Sequence, residues 1–231
     1  MSSLSEPNRR DRILDAAENI FANAGFAGAS LREIVLEANV NLATVYYYFS
    51  SKSGLMEAVL KRRFGPLRQE HLDLLRNAQK AAGGAPLSIE QILEAMLLPP
   101  LRLAVGDSTR RQAVMRLIGR IVSEPSQEIQ EILHVQRAEV REAFLRALQE
   151  SLPDATRADL LWRMEFVWGA LTSMLCNPKK IENDTQGECS LSDSPKVLAE
   201  MIRFFSPGFQ TGTANGSNSR TQNSALKTRR R

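Results

Sequence analysis

The sequence predicts an all-α fold in two parts, a helix-turn-helix head at residues 9–60 and a larger helical body at 67–206. Three observations predict it. Apolar side chains recur at helical spacing along most of the chain, no run alternates in the manner of a strand, and the periodic segments are separated by Gly, Asn and Pro. With 231 residues and 43% hydrophobic content, the chain has material for one or two packed cores.

The elements follow in order. Ile13, Ala16, Ala17, Ile20, Phe21 and Ala24 define a first helix over 9–24, and Gly25 supplies its stop. Ser30-Leu31-Arg32-Glu33 fits a capping box, which starts a second helix with Leu31, Ile34, Val35 and Ala38 on one face and an end near Glu37. Asn39 tolerates a left-handed turn, and Asn41 suits the cap of a third helix, Leu42 to Phe49. All three tyrosines of the chain lie in that helix, side by side. Helical neighbours point about 100° apart, so one face cannot bury three consecutive rings. The expected inward set is Val45, Tyr48 and Phe49, which turns Ala43 and Tyr47 outward with Thr44 and Tyr46 on the flanks.

A fourth helix starts at Ser50 or Ser51, is expected to falter at Gly65-Pro66, and resumes from Leu67 to Gln79. Ala82 to Pro86 reads as a linker. Helices are then expected over Ser88–Val105, Ser108–Ser123, Ser126–Ser151, Ala155–Leu175 and Pro195–Phe205, with a polar loop at 177–194. Residues 207–231 are rich in Gly, Ser, Thr and Asn and poor in apolar side chains, the composition of a disordered basic tail.

Charge and motifs narrow the function classes. The net charge of +4 is owed to the tail, whose five cations (Arg220, Lys227, Arg229, Arg230, Arg231) exceed it and leave the remainder slightly acidic. Bulk basicity therefore does not argue for nucleic acid, and local placement must. The Arg229–Arg231 run reads as a solvated end ahead of a DNA-contacting arm. No apolar stretch reaches the ~20 residues that cross a bilayer, and the polar start lacks a signal peptide's apolar core, so the expected location is cytoplasmic, without membrane association. In that compartment Cys176 and Cys189 are expected as free thiols. There is no phosphate loop, nucleophile elbow or zinc-protease helix, and His71 and His134 lack partners at metal-ligand spacing. No catalysis, metal or cofactor is expected.

A helix-turn-helix lays its second helix in the DNA major groove and reads base edges near that helix's N-terminus. Leu42, Ala43 and Thr44 are small enough for such an approach. Thr44 offers a hydroxyl and a methyl, Tyr46 and Tyr47 place phenols where phosphates flank the groove, and Lys52 adds a charge beside the free amides of the next helix.

The run from Arg10 to Lys61, with Ile13-Leu14-Asp15-Ala16-Ala17, Phe21, Gly25-Phe26, Ser30 to Ile34, Val40 and Thr44 to Lys52, resembles the DNA-binding domain of TetR-family transcriptional regulators. The resemblance implies a three-helix head, a helical domain that dimerises and holds a small effector, and repression relieved by that effector. It implies DNA contacts from Ser30, Arg32, Leu42, Ala43, Thr44, Tyr46, Tyr47 and Lys52, with double-stranded DNA in a palindromic operator as partner. Asn39 departs from the glycine usual at the turn, and Leu42-Ala43 is more apolar than usual at the start of the recognition helix.

Leu117-Ile118-Gly119, preceded by Arg116, and Leu161 to Ala170 are similar to the branch of the family that answers to fatty acids or their coenzyme A thioesters. Met96, Met115, Phe144, Trp162, Met164 and Trp168 are the candidate effector lining, against the alternative that they build core or dimer interface. The resemblance implies a homodimer paired through the helices at about 155–175 and 195–205. The competing class is a helical small-molecule-binding protein or enzyme whose head serves protein contacts instead of DNA.

Overall fold

The computed structural model describes residues 8–104, 115, 117–121 and 126–211, and within them every regular element is helical. Helix α1 (Arg9–Gly28) is capped by Asn8, whose side chain accepts from the Asp11 amide at 3.0 Å. Gly25, at φ +72° and ψ 175°, leaves the helical region as the expected stop requires, which glycine does without strain, and a short second stretch carries the element on to Gly28. A further turn brings Phe26 against Phe21, with ring centroids 5.9 Å apart. Ala24 is exposed and Ala22 buried, the reverse of the expected spacing.

Helix α2 (Leu31–Glu37) opens on the expected capping box. Ser30 Oγ accepts from the Arg32 amide at 3.2 Å, and Glu33 reaches back to the Ser30 amide at 3.4 Å. Asn39 takes the turn at φ +50°, and Asn41 caps α3 (Leu42–Phe49) by accepting from the Thr44 amide at 2.8 Å. Ser50, at φ +62°, ends α3, and Ser51 starts α4 (Lys52–Ala81) by accepting from the Gly54 amide at 2.9 Å.

Helix α4 does not falter at Gly65-Pro66, as the sequence suggests; it runs unbroken for 30 residues with Pro66 inside. Pro66 is exposed, so the carbonyl its missing N–H releases can be hydrated, and packing at both ends holds the helix together. Leu55, Met56, Val59 and Leu60 are buried in the head, and His71 and Leu75 in the body.

Helix α5 (Ile89–Ala104) carries Pro99 and Pro100. Residues 117–121 are helical; the rest of the helix expected over 108–123, except Met115, lies outside the described residues, as do Arg116 and the tail from 212. Helices α6 (Gln127–Ser151) and α7 (Arg157–Cys176) follow, the latter with a Thr156/Asp159 capping box. The stretch expected as a polar loop contains a short helix, α8 (Pro178–Asp184), with proline at a starting position and a Lys180–Asp184 ion pair at 2.9 Å. Helix α9 (Ser194–Gln210) runs past the expected end at Phe205 and through Pro207, because Phe209 is buried and Arg163 of α7 donates to the Phe209 and Thr211 carbonyls at 2.7 and 2.9 Å.

Two cores result. In the body, α4, α5, α6, α7 and α9 enclose Leu93, Met96, Phe144, Leu148, Leu160 and Val167. In the head, α1 to α4 enclose Ile13, Phe21, Ile34, Val45, Leu55 and Val59, joined by Leu117, Ile121, Ile129 and Leu133 from later in the chain. A buried charge cluster fixes α1 on α4. Glu18, 2% exposed, accepts from Arg62 at 3.0 Å and from Arg63, while Arg62 also pairs with Asp15 at 2.9 Å.

Candidate functional site

The head presents one face of α3 to solvent. Val45 and Phe49, four residues apart, face the core and are buried. Tyr47 is 82% exposed and Tyr46 48%. Tyr48 does not join the inward set as expected; it is 41% exposed. On an eight-residue helix the Val45/Phe49 stripe fills the contact with α1 and α4, and Tyr48, one step round from Phe49, stays on the rim. Its ring stands edge-on to Tyr47 at 5.1 Å and tilts toward Phe49 at 6.0 Å. It overlooks an open depression of about 520 Å³ bordered by Arg10, Gly54, Glu57, Lys61 and Arg62.

At the N-terminus of α3, Leu42 and Ala43 are exposed and Thr44 is half-buried. The Thr44 hydroxyl donates to Asn41 Oδ1 at 2.7 Å, so its proton is committed to the cap and only its lone pairs and methyl remain for an outside partner. Ser30 likewise spends its oxygen on capping α2, whereas Arg32 is exposed beside it. Lys52 is half-buried. Its Nζ donates to the Ala27 carbonyl at 3.4 Å and lies 4.8 Å from the centre of the Phe26 ring, which ties the start of α4 to the end of α1. Gly54 makes the junction between α3 and α4 possible: a Cβ there would stand 2.2 Å from the Phe49 carbonyl oxygen.

Of the six residues read as an effector lining, five lie in or against the body core and one does not. Met96, Phe144 and Met164 are buried in the body core, with Trp168 and Met115 half-buried against it. Trp162 is not among them. It is 64% exposed and stacks on Phe166 with centroids 5.9 Å apart, bordering an open depression of about 430 Å³ with Asp159 and Arg163. Two positions separate Trp162 from Met164, about 200° of helix, so the two side chains leave α7 on opposite faces.

The polar centre of the body core carries no motif in the sequence. His71, dismissed as a metal ligand, is buried between the rings of Phe144 (6.0 Å) and Trp168 (5.7 Å). Its Nδ1 lies 2.9 Å from the Leu67 carbonyl and its Nε2 3.0 Å from the Met96 carbonyl. Burial lowers its pKa, against the opposing pull of the Met96 and Leu67 carbonyls and the Glu70 charge. Desolvation likewise raises the half-buried Cys176 thiol, and Cys176 and Cys189 are both free. Among the described residues no group of three His, Cys, Asp or Glu could hold a metal, and no helix is long and apolar enough to cross a membrane.

A capped helix-turn-helix that turns small and hydroxylated side chains outward, carried on a separate helical core, defines a DNA-binding transcriptional regulator. Residues 13–59 match the family described as bacterial regulatory proteins, tetR family, and residues 94–208 match the tetracyclin repressor-like C-terminal domain. The chain belongs to the TetR family of transcriptional regulators. The matched families and relatives are regulators, not enzymes.

Among relatives, it is 48% identical over 48 residues to the probable HTH-type transcriptional regulator YttP of Bacillus subtilis, covering 21% of this chain and 23% of that protein. It is 34% identical over 86 residues to the HTH-type transcriptional repressor KstR of Mycolicibacterium smegmatis, covering 37% and 40%. The chain thus spans less than half the length of these first relatives. Among solved structures, a putative tetR family transcription regulator from Shewanella sp. PV-4 superposes with a TM-score of 0.61 at 16% identity, over 87% of this chain and 98% of that one. The regulator FadR from Bacillus subtilis in complex with stearoyl-CoA superposes with a TM-score of 0.58 at 15% identity, over 86% and 98%. At such identity the likeness is one of fold.

Proposed function

We propose that this protein is a cytoplasmic, ligand-responsive repressor that binds an inverted-repeat operator as a homodimer and is released by an apolar or acyl-type effector. In this reading a head at 9–60 holds the DNA and a body at 67–206 holds the effector and the partner subunit. The observation that carries it is the outward face of α3, where Tyr47 stands 82% exposed beside Tyr46, Ala43 and Leu42. A large ring exposed on a short helix has no role in the core, and at this place it suits a phosphate beside the major groove. Tyr48, half open on the same edge, extends that row toward Arg10 and Lys61. Ser30, Arg32 and Lys52 flank it with hydroxyl and charge.

Trp162 and Phe166 on α7 and Phe204 on α9, the last 77% exposed, support the homodimer, since exposed aromatics on neighbouring helices mark interfaces. Two heads related by a two-fold axis would meet successive major grooves, which is why the operator should be an inverted repeat. The apolar effector draws support from the body core that holds Met96, Phe144, Met164 and Trp168, and from the fold shared with a FadR seen with stearoyl-CoA. Its size of effect would equal its differential affinity for two arrangements of the heads.

Selection from random DNA, followed by a gel-shift salt titration, tests the DNA reading: a palindromic consensus is expected, and recovery of none overturns it. Trp162→Asp with Phe204→Asp should convert the dimer to a helical monomer by light scattering and circular dichroism. An unchanged dimer overturns the interface assignment.

A further inference from the structure

Two consecutive prolines stand inside α5, at Pro99 and Pro100. A helical carbonyl accepts from the amide four residues on, and proline has none, so Pro100 leaves the Met96 carbonyl without its regular donor. Met96 is fully buried, where water cannot serve instead, and a buried carbonyl left unbonded is costly. Another helix supplies the donor: His71 Nε2 of α4 lies 3.0 Å from that same oxygen.

We propose that His71 is a latch whose Nε2–H replaces the backbone donor that Pro100 removes, fastening the turn of α5 that ends at Pro100 to α4. Both ring nitrogens face carbonyl oxygens, of which a neutral ring can serve only one with its single N–H, and the two carbonyls differ in need. Leu67, 2.9 Å from Nδ1, has its regular helical donor in the His71 backbone amide within the unbroken α4. Met96 has no such donor, so the single proton of the neutral ring belongs on Nε2. Phe144 and Trp168 hold the ring in place from α6 and α7, each edge-on. The latch therefore sits where four body helices meet, on the helix whose N-terminal half is built into the head core. Its identity as a positioning residue goes beyond the regulatory reading above and does not depend on it.

The test is a double-mutant cycle in the full chain, with His71→Phe, Pro100→Ala and the pair, read by urea unfolding. Restoring an amide at position 100 should make the histidine dispensable. His71→Phe is expected to raise the unfolding constant about tenfold or more in the native background, and about threefold or less beside Pro100→Ala. An equal loss in both backgrounds overturns the latch. The nitrogen spectrum of the wild-type imidazole gives a second reading that needs no variant: a proton on Nε2, slow to exchange with solvent, is expected, and the Nδ1–H tautomer refutes the assignment.

Discussion

Removing the Glu18 carboxylate should loosen α1 from α4, and the structure sets the size of the effect. Glu18 is 2% exposed and faces two guanidinium groups from α4, Arg62 at 3.0 Å and Arg63. Taking one partner out of a buried ion pair costs about 3–5 kcal/mol, because the remaining charge stays desolvated. Two features favour the lower end. Glu18 Oε1 has no hydrogen-bond partner, so the cluster is incompletely satisfied from the start, and Arg62 would keep Asp15 at 2.9 Å. Arg63, whose side chain is 10% exposed, would be stranded. Glu18→Ala is therefore expected to lose about 3 kcal/mol, and Glu18→Gln, which keeps the shape and an acceptor oxygen, about 2 kcal/mol. In a chain of this size, a loss of about 3 kcal/mol lowers Tm by roughly 6–12 °C. Urea unfolding and a thermal melt followed by circular dichroism measure both. A Glu18→Ala protein within about 1 kcal/mol of the native one would refute the view that this cluster locks α1 to α4.

The junction between α3 and α4 should resist any side chain at position 54. Gly54→Ala places a Cβ against the Phe49 carbonyl and is expected to cost about 2 kcal/mol or more by urea unfolding, and an unchanged midpoint would mean the junction yields. Tyr47→Ala, at an exposed site, should leave stability within about 0.5 kcal/mol of native while weakening operator affinity about fivefold; native affinity would remove Tyr47 from the interface. Lys52→Ala should weaken binding and flatten the salt dependence by about one phosphate contact, and an unaltered slope would reduce Lys52 to its structural tie with Ala27 and Phe26. The depressed pKa of His71 implies a pH dependence of known sign. The unfolded chain binds a proton near pH ~6.5 that the folded chain resists, so stability is fully present above that value and falls with acidification through the folded pKa. His71→Phe should abolish that part of the acid sensitivity, and an identical pH profile in the variant would show that another group is responsible.

What the sequence determined by itself lies within one or two helical turns. The Ser30/Glu33 box, the caps at Asn41 and Ser51, the left-handed Asn39 and the Val45/Phe49 stripe each depend on residues at most four apart, so the order of residues settles them. That local grammar was enough to place Leu42, Ala43, Tyr46 and Tyr47 on the exposed surface of a helix-turn-helix, whereas Arg32 entered only through the family resemblance. Tertiary structure decided matters that partners from elsewhere in the chain control. Whether Pro66 and Pro207 break their helices depends on cores and on Arg163 reaching the Phe209 and Thr211 carbonyls, not on the prolines. Tyr48 stays at the rim because its neighbour Phe49 already fills the space between α1 and α4. Trp162 and Met164 look alike as apolar candidates, but the side of α7 that the body covers takes Met164 and leaves Trp162 outside. Glu18 and His71 read as an ordinary charge and an isolated histidine until folding brings Arg62 and Arg63, 44 and 45 residues away, and the Met96 carbonyl, 25 residues away, into contact. Burial is the physical reason, since desolvation gives a polar group its energetic weight and only the folded chain sets which groups are desolvated together.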